Sequence, residues 1–500
     1  MRALISVTDK SNLKFLVKGL SDLGCEIIST GGTLKALKEA GVEAVSVENV
    51  TNFKEILGGR VKTLSPYIHG GILYRRDNPQ DVETIKNEKI SPIDIVVVNL
   101  YDFSGALETK DKAKIIENID IGGPTLIRAA AKNYKDVLVV TDVCDYERLI
   151  EKLKTDSVDE SFRAELATKA FSLTSYYDSL IARYFKEETG KETGYLNLGF
   201  EKAEDLRYGE NPTQKAALYK DKFINSYLSN PEIIHGKKMS FNNYNDLNVA
   251  VELAAELGKN TAVALKHATP CAVSKQDNLL DSYLKAYEAD SLSIFGGILA
   301  LNGEVDEKLA EECSKIFLEI IAAKDFTKGA LEILTKKKNI RLVKVDFDLK
   351  KADMDIKYLN GAVLCQEKDQ AEDEFSPVTN KLPTEKETED LKFAMKVVKH
   401  VKSNAVVVVK DKTTIGIGGG ETSRIWALEN IKNHYDKSFD GGVLASDAFF
   451  PFDDCVKLAG QMGITSIIQP GGSLRDEDSI KKCNELGISM VFSKNRHFKH

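Results

Sequence analysis

Short apolar runs separated by segments with helical spacing characterise the first two hundred residues. The runs Ala3–Val7, Cys25–Ser29 and Ile93–Asn99 have the length of buried strands. Between the first two runs, leucines at positions 13, 16, 20 and 23 recur three or four residues apart, which places them on one helix face. Strands that alternate with helices of this length predict a parallel sheet with helices on both sides.

The chain divides near residue 200. Glu160–Phe185 has the pattern of a long helix, and Lys191–Glu204 is polar, without clear periodicity, as expected of a linker. We therefore predict a first domain over residues 1–200 and a second region over residues 201–500.

The second region contains an internal repeat. The apolar run in Thr261–Val273 leads to Lys266 and His267, and a similar run beginning at residue 404 leads to Lys410. Gly-Gly pairs follow at residues 296 and 441, so positions 266 and 410 lie 144 residues apart and positions 296 and 441 lie 145 apart. Matching spacings predict two related α/β units. The copies differ in their chemistry, because Asp411 stands where the first copy has His267.

Composition narrows the class of protein. A chain of 500 residues implies two or three domains, and 42% hydrophobic with 29% charged residues is ordinary for a globular protein. The formal charge of −7 gives no reason to expect nucleic acid binding. No apolar run reaches membrane-spanning length, and Met1–Val7 shows no signal peptide, so we expect a cytoplasmic protein. The seven scattered cysteines, without Cys-x-x-Cys pairs, argue against disulfides and structural zinc.

Candidate chemistry in the first domain follows the predicted strands. Thr30-Gly-Gly-Thr33 precedes a helix, where backbone N–H groups favour a phosphate, and Thr8-Asp-Lys10 follows the first strand. Gly58–Thr63 adds two cations, and Asp120–Pro124 is another glycine-rich turn before a helix. Each turn alone also fits an ordinary solvated surface. Together they favour a phosphorylated small ligand at strand-to-helix junctions.

In the second region, Lys266 and His267 are the candidate reactive pair. Imidazole transfers protons near neutral pH, and an adjacent ammonium stabilises developing negative charge. A solvated lysine and a hydrogen-bonded histidine at a strand end is the alternative interpretation.

Seven ordered motifs carry a specific resemblance that covers nearly the whole chain. They are Gly58-Gly-Arg-Val-Lys-Thr-Leu64, Asn99-Leu-Tyr101, Asp120-Ile-Gly-Gly123, Ala129-Ala-Ala-Lys-Asn133, Arg207-Tyr-Gly-Glu-Asn-Pro212, Lys266-His267 and Ser446-Asp-Ala-Phe-Phe-Pro-Phe452. Together they resemble the bifunctional purine-biosynthesis family that joins AICAR transformylase to IMP cyclohydrolase. The resemblance implies an α/β fold: a methylglyoxal synthase-like Rossmann-type domain over 1–200, then a duplicated cytidine deaminase-like α/β region over 201–500.

For the first domain, the resemblance implies cyclisation of formyl-AICAR to IMP with loss of water. The enzyme must hold a near-attack conformer and manage charge on the formyl oxygen. The matching catalytic positions are Lys62, Tyr101, Asp120 and Lys132. The matching substrate contacts are Lys10, Thr30, Gly32, Thr33 and Arg60. Ser65 departs from the histidine that relatives usually carry.

For the second region, the resemblance implies formyl transfer from the co-substrate 10-formyltetrahydrofolate to the amine of AICAR. His267 is the implied base, and Lys266 stabilises the oxyanion or helps protonate the leaving folate nitrogen. The implied substrate contacts are Arg207, Tyr208, Glu319, Asn404, Arg496 and Phe498, and the implied folate contacts are Phe449, Pro451 and Phe452. The resemblance also implies a homodimer, with transformylase sites built from both chains.

A deaminase-like fold raises the question of zinc. Zinc deaminases carry His-x-Glu and Pro-Cys-x-x-Cys segments. Here Pro270-Cys271 is followed by Ser274 where the second cysteine would stand, and the sequence contains no His-x-Glu. We therefore expect no metal in catalysis.

Four positions depart from the family's transformylase pattern, and they keep alternatives open. Thr213, Thr269, Ala272 and Lys324 replace the usual His, Asn, Gly and Pro. One alternative is a cyclohydrolase with weakened transformylation or a different formyl donor. The others are a methylglyoxal synthase-like lyase, which leaves the second region unexplained, and a non-catalytic nucleotide sensor.

Overall fold

The computed structural model describes residues 1–229, 231–348 and 354–500. The chain forms two compact units, Met1–Glu201 (unit 1) and Lys202–His500 (unit 2). Strands and helices alternate through both units, so the predicted α/β class is confirmed.

Unit 1 contains five strands and ten α-helices among its described residues. The strands are β1 (Arg2–Ser6), β2 (Glu26–Ser29), β3 (Val45–Ser46), β4 (Ile95–Val98) and β5 (Leu138–Val140). The helices are α1 (Leu13–Asp22), α2 (Gly31–Glu39), α3 (Val47–Thr51), α4 (Pro66–Leu73), α5 (Pro79–Asn87), α6 (Phe103–Glu108), α7 (Lys112–Glu117), α8 (Gly122–Lys132), α9 (Tyr146–Lys154) and α10 (Glu160–Thr189).

The sheet of unit 1 is parallel throughout, in the order β3-β2-β1-β4-β5. Its strands are apolar and buried, and Leu13, Leu16 and Leu20 of α1 pack into the same core, as the leucine spacing predicts. The strand order reverses between β1 and β4. Ligands bind in such sheets beyond the carboxyl ends of the strands at the reversal, so this fold directs attention to the loops after β1 and β4.

Unit 2 contains the remaining elements. Its strands are β6 (Glu201–Leu206, whose first residue belongs to unit 1), β7 (Ala216–Lys220), β8 (Glu232–His235), β9 (Thr261–Lys266), β10 (Thr269–Lys275), β11 (Ile298–Val305), β12 (Ile320–Phe326), β13 (Arg341–Lys344), β14 (Met354–Leu359), β15 (Ala362–Glu367), β16 (Ser376–Pro377), β17 (Val406–Lys410), β18 (Thr413–Gly418), β19 (Val443–Ser446), β20 (Ser466–Gln469) and β21 (Ser489–Phe492). Its helices are α11 (Phe241–Leu257), α12 (Leu279–Ala289), α13 (Glu307–Ser314), α14 (Lys328–Leu334), α15 (Glu385–Val398), α16 (Arg424–His434), α17 (Asp454–Gln461) and α18 (Asp476–Leu486). Because β6 begins at Glu201, the last residues of the segment expected to be a linker form a strand, paired with β7.

Among the described residues of unit 2, twelve strands form one sheet with an internal symmetry. Their order is β16-β21-β20-β19-β17-β18-β10-β9-β11-β12-β13-β8. Read outward from the central β10–β18 pair, the first half runs β10, β9, β11, β12, β13, β8 and the second runs β18, β17, β19, β20, β21, β16. Each strand of one half therefore has a counterpart at the same place in the other. This is the arrangement that the spacing of Lys266 and Lys410 leads one to expect.

The strand directions bring one end of each half together. Adjacent pairs among β9, β10, β18 and β17 are antiparallel, so β9 ends on the same side of the sheet on which β17 begins. We call this side the Lys266 rim: β9, β18, β19, β20 and β21 end there, and β10, β11, β12, β13 and β17 begin there. Three strand spacings, roughly 14 Å, separate β9 from β17.

Candidate functional site

A cavity of about 610 Å³ opens in unit 1 beyond the carboxyl ends of β1, β2 and β4. All but one of the site residues predicted for this domain line it, namely Lys10, Thr30, Gly32, Thr33, Arg60, Lys62, Tyr101 and Asp120. The fold therefore assembles in one place groups that lie up to 110 positions apart in the sequence, from residue 10 to residue 120.

The loops at the strand-order reversal are tied together by Asn99. Its side-chain oxygen accepts hydrogen bonds from the backbone N–H groups of Thr8 (2.5 Å) and Asp9 (3.1 Å), and its amide donates to the Asp9 carbonyl (3.2 Å). Asn99 thus sets the shape of the cavity floor. The sequence marked Asn99 only as part of a motif, and its bonding partners lie too far away in the chain to be recognised there.

Helix α2 presents its N-terminus to the cavity. Thr30 precedes the helix, and the first N–H groups of a helix have no partners within it, so they are available to an anion. The Thr33 hydroxyl is already used: it accepts a bond from Val7 N–H (3.0 Å) and donates to the Val7 carbonyl (2.9 Å). Thr33 therefore shapes the start of α2 through its buried side chain. A ligand would contact the backbone N–H groups at this helix start and Thr30.

Two cations enter the cavity from the loop that follows the 3-10 turn Leu57–Gly59, and each meets a carboxylate. Lys62 Nζ lies 3.5 Å from Glu55 Oε2, and the Arg60 guanidinium pairs with both oxygens of Glu117. Glu117 lines the large cavity, and Glu55 lines a smaller one of about 210 Å³ that shares Lys62 with it. The sequence did not identify either carboxylate as part of the site.

Asp120 is the half-buried acid of the cavity. Its Oδ1 accepts a hydrogen bond from Gly123 N–H at 2.8 Å, and its own N–H donates to the Tyr177 hydroxyl at 2.7 Å. Burial raises the pKa of Asp120 above its usual value, although neighbouring backbone N–H groups act in the opposite direction. Burial also raises the pKa of Tyr177 to about 12, so this hydroxyl keeps its proton. A carboxyl group that takes up a proton readily fits a role in proton transfer.

Lys132 is not among the residues that line the cavity. It is exposed at the C-terminal end of α8, whereas Gly122, at the other end of this helix, lines the cavity. Eleven helical residues span about 16 Å. The catalytic role of Lys132 therefore stays a prediction without support from the position of its side chain.

In unit 2, Lys266 and His267 occupy the tip of the β9–β10 hairpin on the Lys266 rim. Lys266 Nζ donates to the Phe295 carbonyl at 3.1 Å, and His267 is exposed. His267 and Ala268 both adopt left-handed backbone conformations, with φ of 55° and 56°. Lys266 is thus held next to the start of β11, while the imidazole is open to an incoming ligand.

Glu319 lies just before β12 on the same rim. Its N–H donates to the Gly297 carbonyl (3.0 Å), and its side chain pairs with Arg341 at 2.7 Å. Arg341 is buried and also donates to the Lys238 carbonyl at 3.1 and 3.2 Å. Arg341 was not predicted from the sequence; a single arginine at the start of an apolar strand was the available signal.

Asn404 lies two residues before β17, at the edge of a buried polar network. Its side-chain oxygen accepts a bond from Arg424 Nη2 at 2.9 Å, and its amide donates to the Glu421 carbonyl at 2.9 Å. Arg424 in turn forms a buried ion pair with Asp447 and donates to Ser446 Oγ at 2.9 Å. A fully hydrogen-bonded buried pair of this kind fixes geometry, so the Asn404 amide is held rigidly.

The aromatic segment after β19 lies on the Lys266 rim. Phe449 and Phe452 are 39% and 51% exposed, and Pro451 between them is exposed as well. The Arg475 guanidinium lies over the Phe452 ring, 5.3 Å from its centre. Exposed aromatic faces beside a cation suit a flat, conjugated ligand that carries carboxylates.

The C-terminal tail returns to the same rim. His497 N–H donates to the Asp447 carbonyl (2.9 Å), and the buried imidazole lies between Asp369 (2.6 Å) and Asp373 (3.0 Å). Burial opposes protonation of His497, but the two carboxylates outweigh it and raise its pKa. The flanking residues are exposed, and the Arg496 guanidinium lies 4.4 Å from the centre of the Phe498 ring. The sequence singled out Arg496 and Phe498 and missed the histidine that anchors them.

Arg207 and Tyr208 approach the rim from β6. The Arg207 guanidinium lies 5.4 Å from the centre of the Tyr208 ring. Two residues further on, the Glu210 carbonyl accepts a bond from the Asn242 amide (3.2 Å) in the first turn of α11. One turn later on this helix, Asp246 contacts the His267–Ala268 turn, so the two segments lie near one another.

The four residues that depart from the family's transformylase pattern differ in burial and in their contacts. Thr269 Oγ1 reaches the His267 carbonyl at 3.5 Å, Ala272 is buried, and Lys324 pairs with Asp348 at 3.1 Å. Thr213 is exposed. Burial raises the pKa of Cys271 to about 12, so this thiol is protonated.

Comparisons with known proteins cover both units. The family model "AICARFT/IMPCHase bienzyme" matches residues 130–433, and the model "MGS-like domain" matches residues 12–125. A "Bifunctional purine biosynthesis protein PurH" of Clostridioides difficile (strain 630) is 52% identical over 100% of this chain and 99% of its own. The proteins of the same name from Acetivibrio thermocellus and Clostridium botulinum (strain Langeland) are 50% and 51% identical, with the same shares covered.

Proposed function

The chain belongs to the AICARFT/IMPCHase bienzyme family, and we propose that it performs both reactions, formyl transfer to AICAR and cyclisation of formyl-AICAR to IMP. The observation that carries the proposal is the full-length match to proteins named as bifunctional purine-biosynthesis enzymes, at 50–52% identity. The alternatives explain less. A methylglyoxal synthase-like lyase accounts only for the match at residues 12–125, and a nucleotide sensor leaves the acid–base groups of both sites without a purpose.

Ring closure is assigned to the cavity of unit 1. The N-terminus of α2 and Lys10 hold the phosphate of the nucleotide, and Arg60 adds a second cation. The carboxamide nitrogen attacks the formyl carbon, the formyl oxygen becomes negatively charged, and Lys62 stabilises that charge. Asp120, whose pKa is raised, and Tyr101 exchange the protons that accompany loss of water.

Formyl transfer is assigned to the Lys266 rim. The amine of AICAR is conjugated with its ring and is a poor nucleophile, so His267 acts as the base during attack on the formyl carbon. Lys266 stabilises the tetrahedral oxyanion or helps to protonate the folate nitrogen, which leaves as its bond to the formyl carbon breaks. The remaining predicted contacts, on the same rim or on the β6 segment that approaches it, bind the two substrates: Arg207, Tyr208, Glu319, Asn404, Arg496 and Phe498 for AICAR, and Phe449, Pro451 and Phe452 for the folate. The formyl donor in this proposal is 10-formyltetrahydrofolate, and no metal takes part.

A homodimer is the proposed assembly. Every residue of the two-stranded β14–β15 sheet is exposed, including the apolar side chains of Ile356, Tyr358, Val363 and Leu364. A two-stranded hairpin is marginally stable by itself, and clustered exposed apolar groups mark an interaction surface. In the proposed dimer, a second copy of the chain covers this hairpin.

The proposed compartment is the cytoplasm, and the cysteines support it. All seven are free thiols, as expected where glutathione and thioredoxin keep thiols reduced. In the described part of the chain, every helix is too short or too polar to cross a membrane.

A coupled assay tests the function. The full chain is incubated with AICAR and 10-formyltetrahydrofolate, and formation of IMP is followed; a parallel reaction supplies formyl-AICAR without folate. We expect IMP in both. IMP in the second reaction alone would restrict the chain to cyclohydrolase activity, in line with the departures at Thr213, Thr269, Ala272 and Lys324. Methylglyoxal from dihydroxyacetone phosphate, without IMP in either reaction, would replace the proposal with a lyase.

A further inference from the structure

The turn that presents His267 has an unfavourable backbone. Lys266 pairs with Thr269 across the hairpin, which leaves His267 and Ala268 as a two-residue turn. Both have left-handed φ values, the pattern of a type I′ turn, which usually contains Asn-Gly or Gly-Gly. A residue with a Cβ resists this conformation, so something outside the turn must hold it.

Asp246 contacts the His267–Ala268 turn from a neighbouring helix. This half-buried residue lies in the second turn of α11, and its Oδ1 accepts a hydrogen bond from Ala268 N–H at 2.7 Å. The N–H and the imidazole of His267 also interact with this carboxylate. One side chain from a neighbouring helix therefore contacts both residues of the strained turn.

The second half of the sheet contains the same kind of left-handed turn capped by an aspartate, but without an imidazole. Asp411 and Lys412 form the turn after β17 with φ of 54° and 51°, and Asp390 of α15 accepts bonds from both N–H groups, at 2.9 and 2.7 Å. Lys410 Nζ donates to the Asp440 carbonyl (2.8 Å), as Lys266 donates to Phe295. The chain thus offers a matched pair of capped turns, of which one carries His267.

We propose that Asp246 is a positioning residue for formyl transfer: it holds the His267–Ala268 turn in the left-handed conformation that directs the imidazole toward the substrate. The inference rests on the proposed role of His267 as the base. Lys266 has its own anchor at the Phe295 carbonyl, so loss of Asp246 disturbs the imidazole more than the ammonium. The carboxylate also places a negative charge near an imidazole that becomes positive when it accepts the proton.

The matched variants Asp246→Asn and Asp390→Asn test the proposal in the full-length protein. Each replaces a carboxylate that faces two N–H groups with an amide that offers one acceptor. We expect Asp246→Asn to lower the kcat of transformylation roughly tenfold or more, as is usual for groups that orient a reactive residue, and to change KM for AICAR less than about threefold. Asp390→Asn should stay within about twofold of wild type. Neither should alter ring closure, whose cavity lies in unit 1.

Two further variants separate positioning from a general loss of structure. Asp246→Asn combined with His267→Ala should be no slower than His267→Ala alone, because a residue that acts through His267 has nothing left to position. Ala268→Gly should restore several-fold activity to Asp246→Asn, because glycine adopts the left-handed turn without a carboxylate.

The outcomes are distinguishable. Wild-type transformylation in Asp246→Asn, or equal losses in Asp246→Asn and Asp390→Asn, overturns the positioning role while His267 remains the base. An undiminished effect of Asp246→Asn in the His267→Ala background overturns it too. Wild-type transformylation in His267→Ala itself instead refutes the role proposed for His267.

Discussion

A methyl group added at Gly59 should displace Lys62, the residue proposed to stabilise charge during ring closure. A Cβ at this position would lie 2.6 Å from Cε and 2.9 Å from Nζ of Lys62. Ordinary van der Waals contacts begin near 3.4 Å. The end of the lysine side chain must therefore retreat by about 1 Å in Gly59→Ala, away from the position in which it is proposed to support charge on the formyl oxygen.

The expected loss follows from that displacement. A misplacement of about 1 Å at a reacting centre lowers the rate by about 100-fold. Stability should change much less, because the displaced atoms are the flexible end of a side chain. The positive φ of Gly59, 91°, adds a backbone penalty of about 1–2 kcal/mol for alanine.

Gly58→Ala is the matched control. Gly58 also has a positive φ, 63°, but a Cβ there would meet nothing within 4 Å. Both variants thus carry a similar backbone penalty, and only Gly59→Ala moves Lys62. Conversion of formyl-AICAR to IMP is measured with both proteins and with Lys62→Ala, alongside Tm and transformylation.

The expected pattern is a loss of about 100-fold in ring closure for Gly59→Ala, comparable to Lys62→Ala, with Gly58→Ala within about threefold of wild type. Transformylation should be unchanged in all three proteins. Equal rates in Gly58→Ala and Gly59→Ala would show that the position of the Lys62 ammonium does not limit ring closure. A Lys62→Ala protein that closes the ring at the wild-type rate would exclude Lys62 from the reaction.

Three other predictions concern the two sites and the assembly. His267→Ala should lower the rate of transformylation roughly 100-fold with ring closure unchanged, and Thr269→Asn should raise the rate of transformylation by orienting the imidazole. Rate measurements of both half-reactions check this, and equal losses in both would indicate misfolding. Asp120→Asn should lower ring closure by about 100-fold or more yet raise Tm at pH 7. The reason is that folding raises the pKa of Asp120, so the charged carboxylate opposes folding once the pH exceeds the unfolded-state pKa of about 3.9. The gain in Tm should therefore vanish as the pH falls toward 4. A gain in Tm that persists at pH 3 would contradict this origin. Tyr358→Asp with Val363→Asp, a cross-strand pair of the exposed hairpin, should shift the chain toward monomers in sedimentation velocity, and an unchanged dimer would exclude this surface.

Patterns with short periods predicted the fold well. The strands β1, β2 and β4 and the long helix α10 lie where apolar runs and helical spacing indicated them, because burial imposes these periods on the sequence directly. The repeat was visible for a similar reason: in each half the lysine ends the strand before a two-residue turn, and the glycine pair directly precedes a later strand, β11 or β19.

Groups whose partners lie far away in the sequence could not be predicted in this way. Tyr177 reaches Asp120 from α10, and His497 lies between two aspartates more than 120 residues earlier. Nothing local distinguishes these side chains from exposed ones. Their roles arise from packing between helices and loops, which a periodic pattern does not encode.

The symmetry of the large sheet explains why the proposed transformylase site lies at one end of it. The Lys266 rim contains the β9–β10 turn of the first half and the start of β17 from the second half. His267 therefore lies on the same side of the sheet as Asn404 and the Arg424–Asp447 pair. The opposite rim combines the Lys410 turn with the start of β9. There Asp411 stands in place of the imidazole. At the 145-residue spacing of the glycine pairs, Asn302 corresponds to Asp447 and Leu279 to Arg424. Because antiparallel pairing of β10 with β18 sends the two lysine turns to opposite rims, the copies cannot share one site through their turns. Each half instead supplies a different end of its strands to the Lys266 rim. Because the second half contributes the start of β17 to this rim and not its turn, its capped turn needs no imidazole and carries Asp411 at that position.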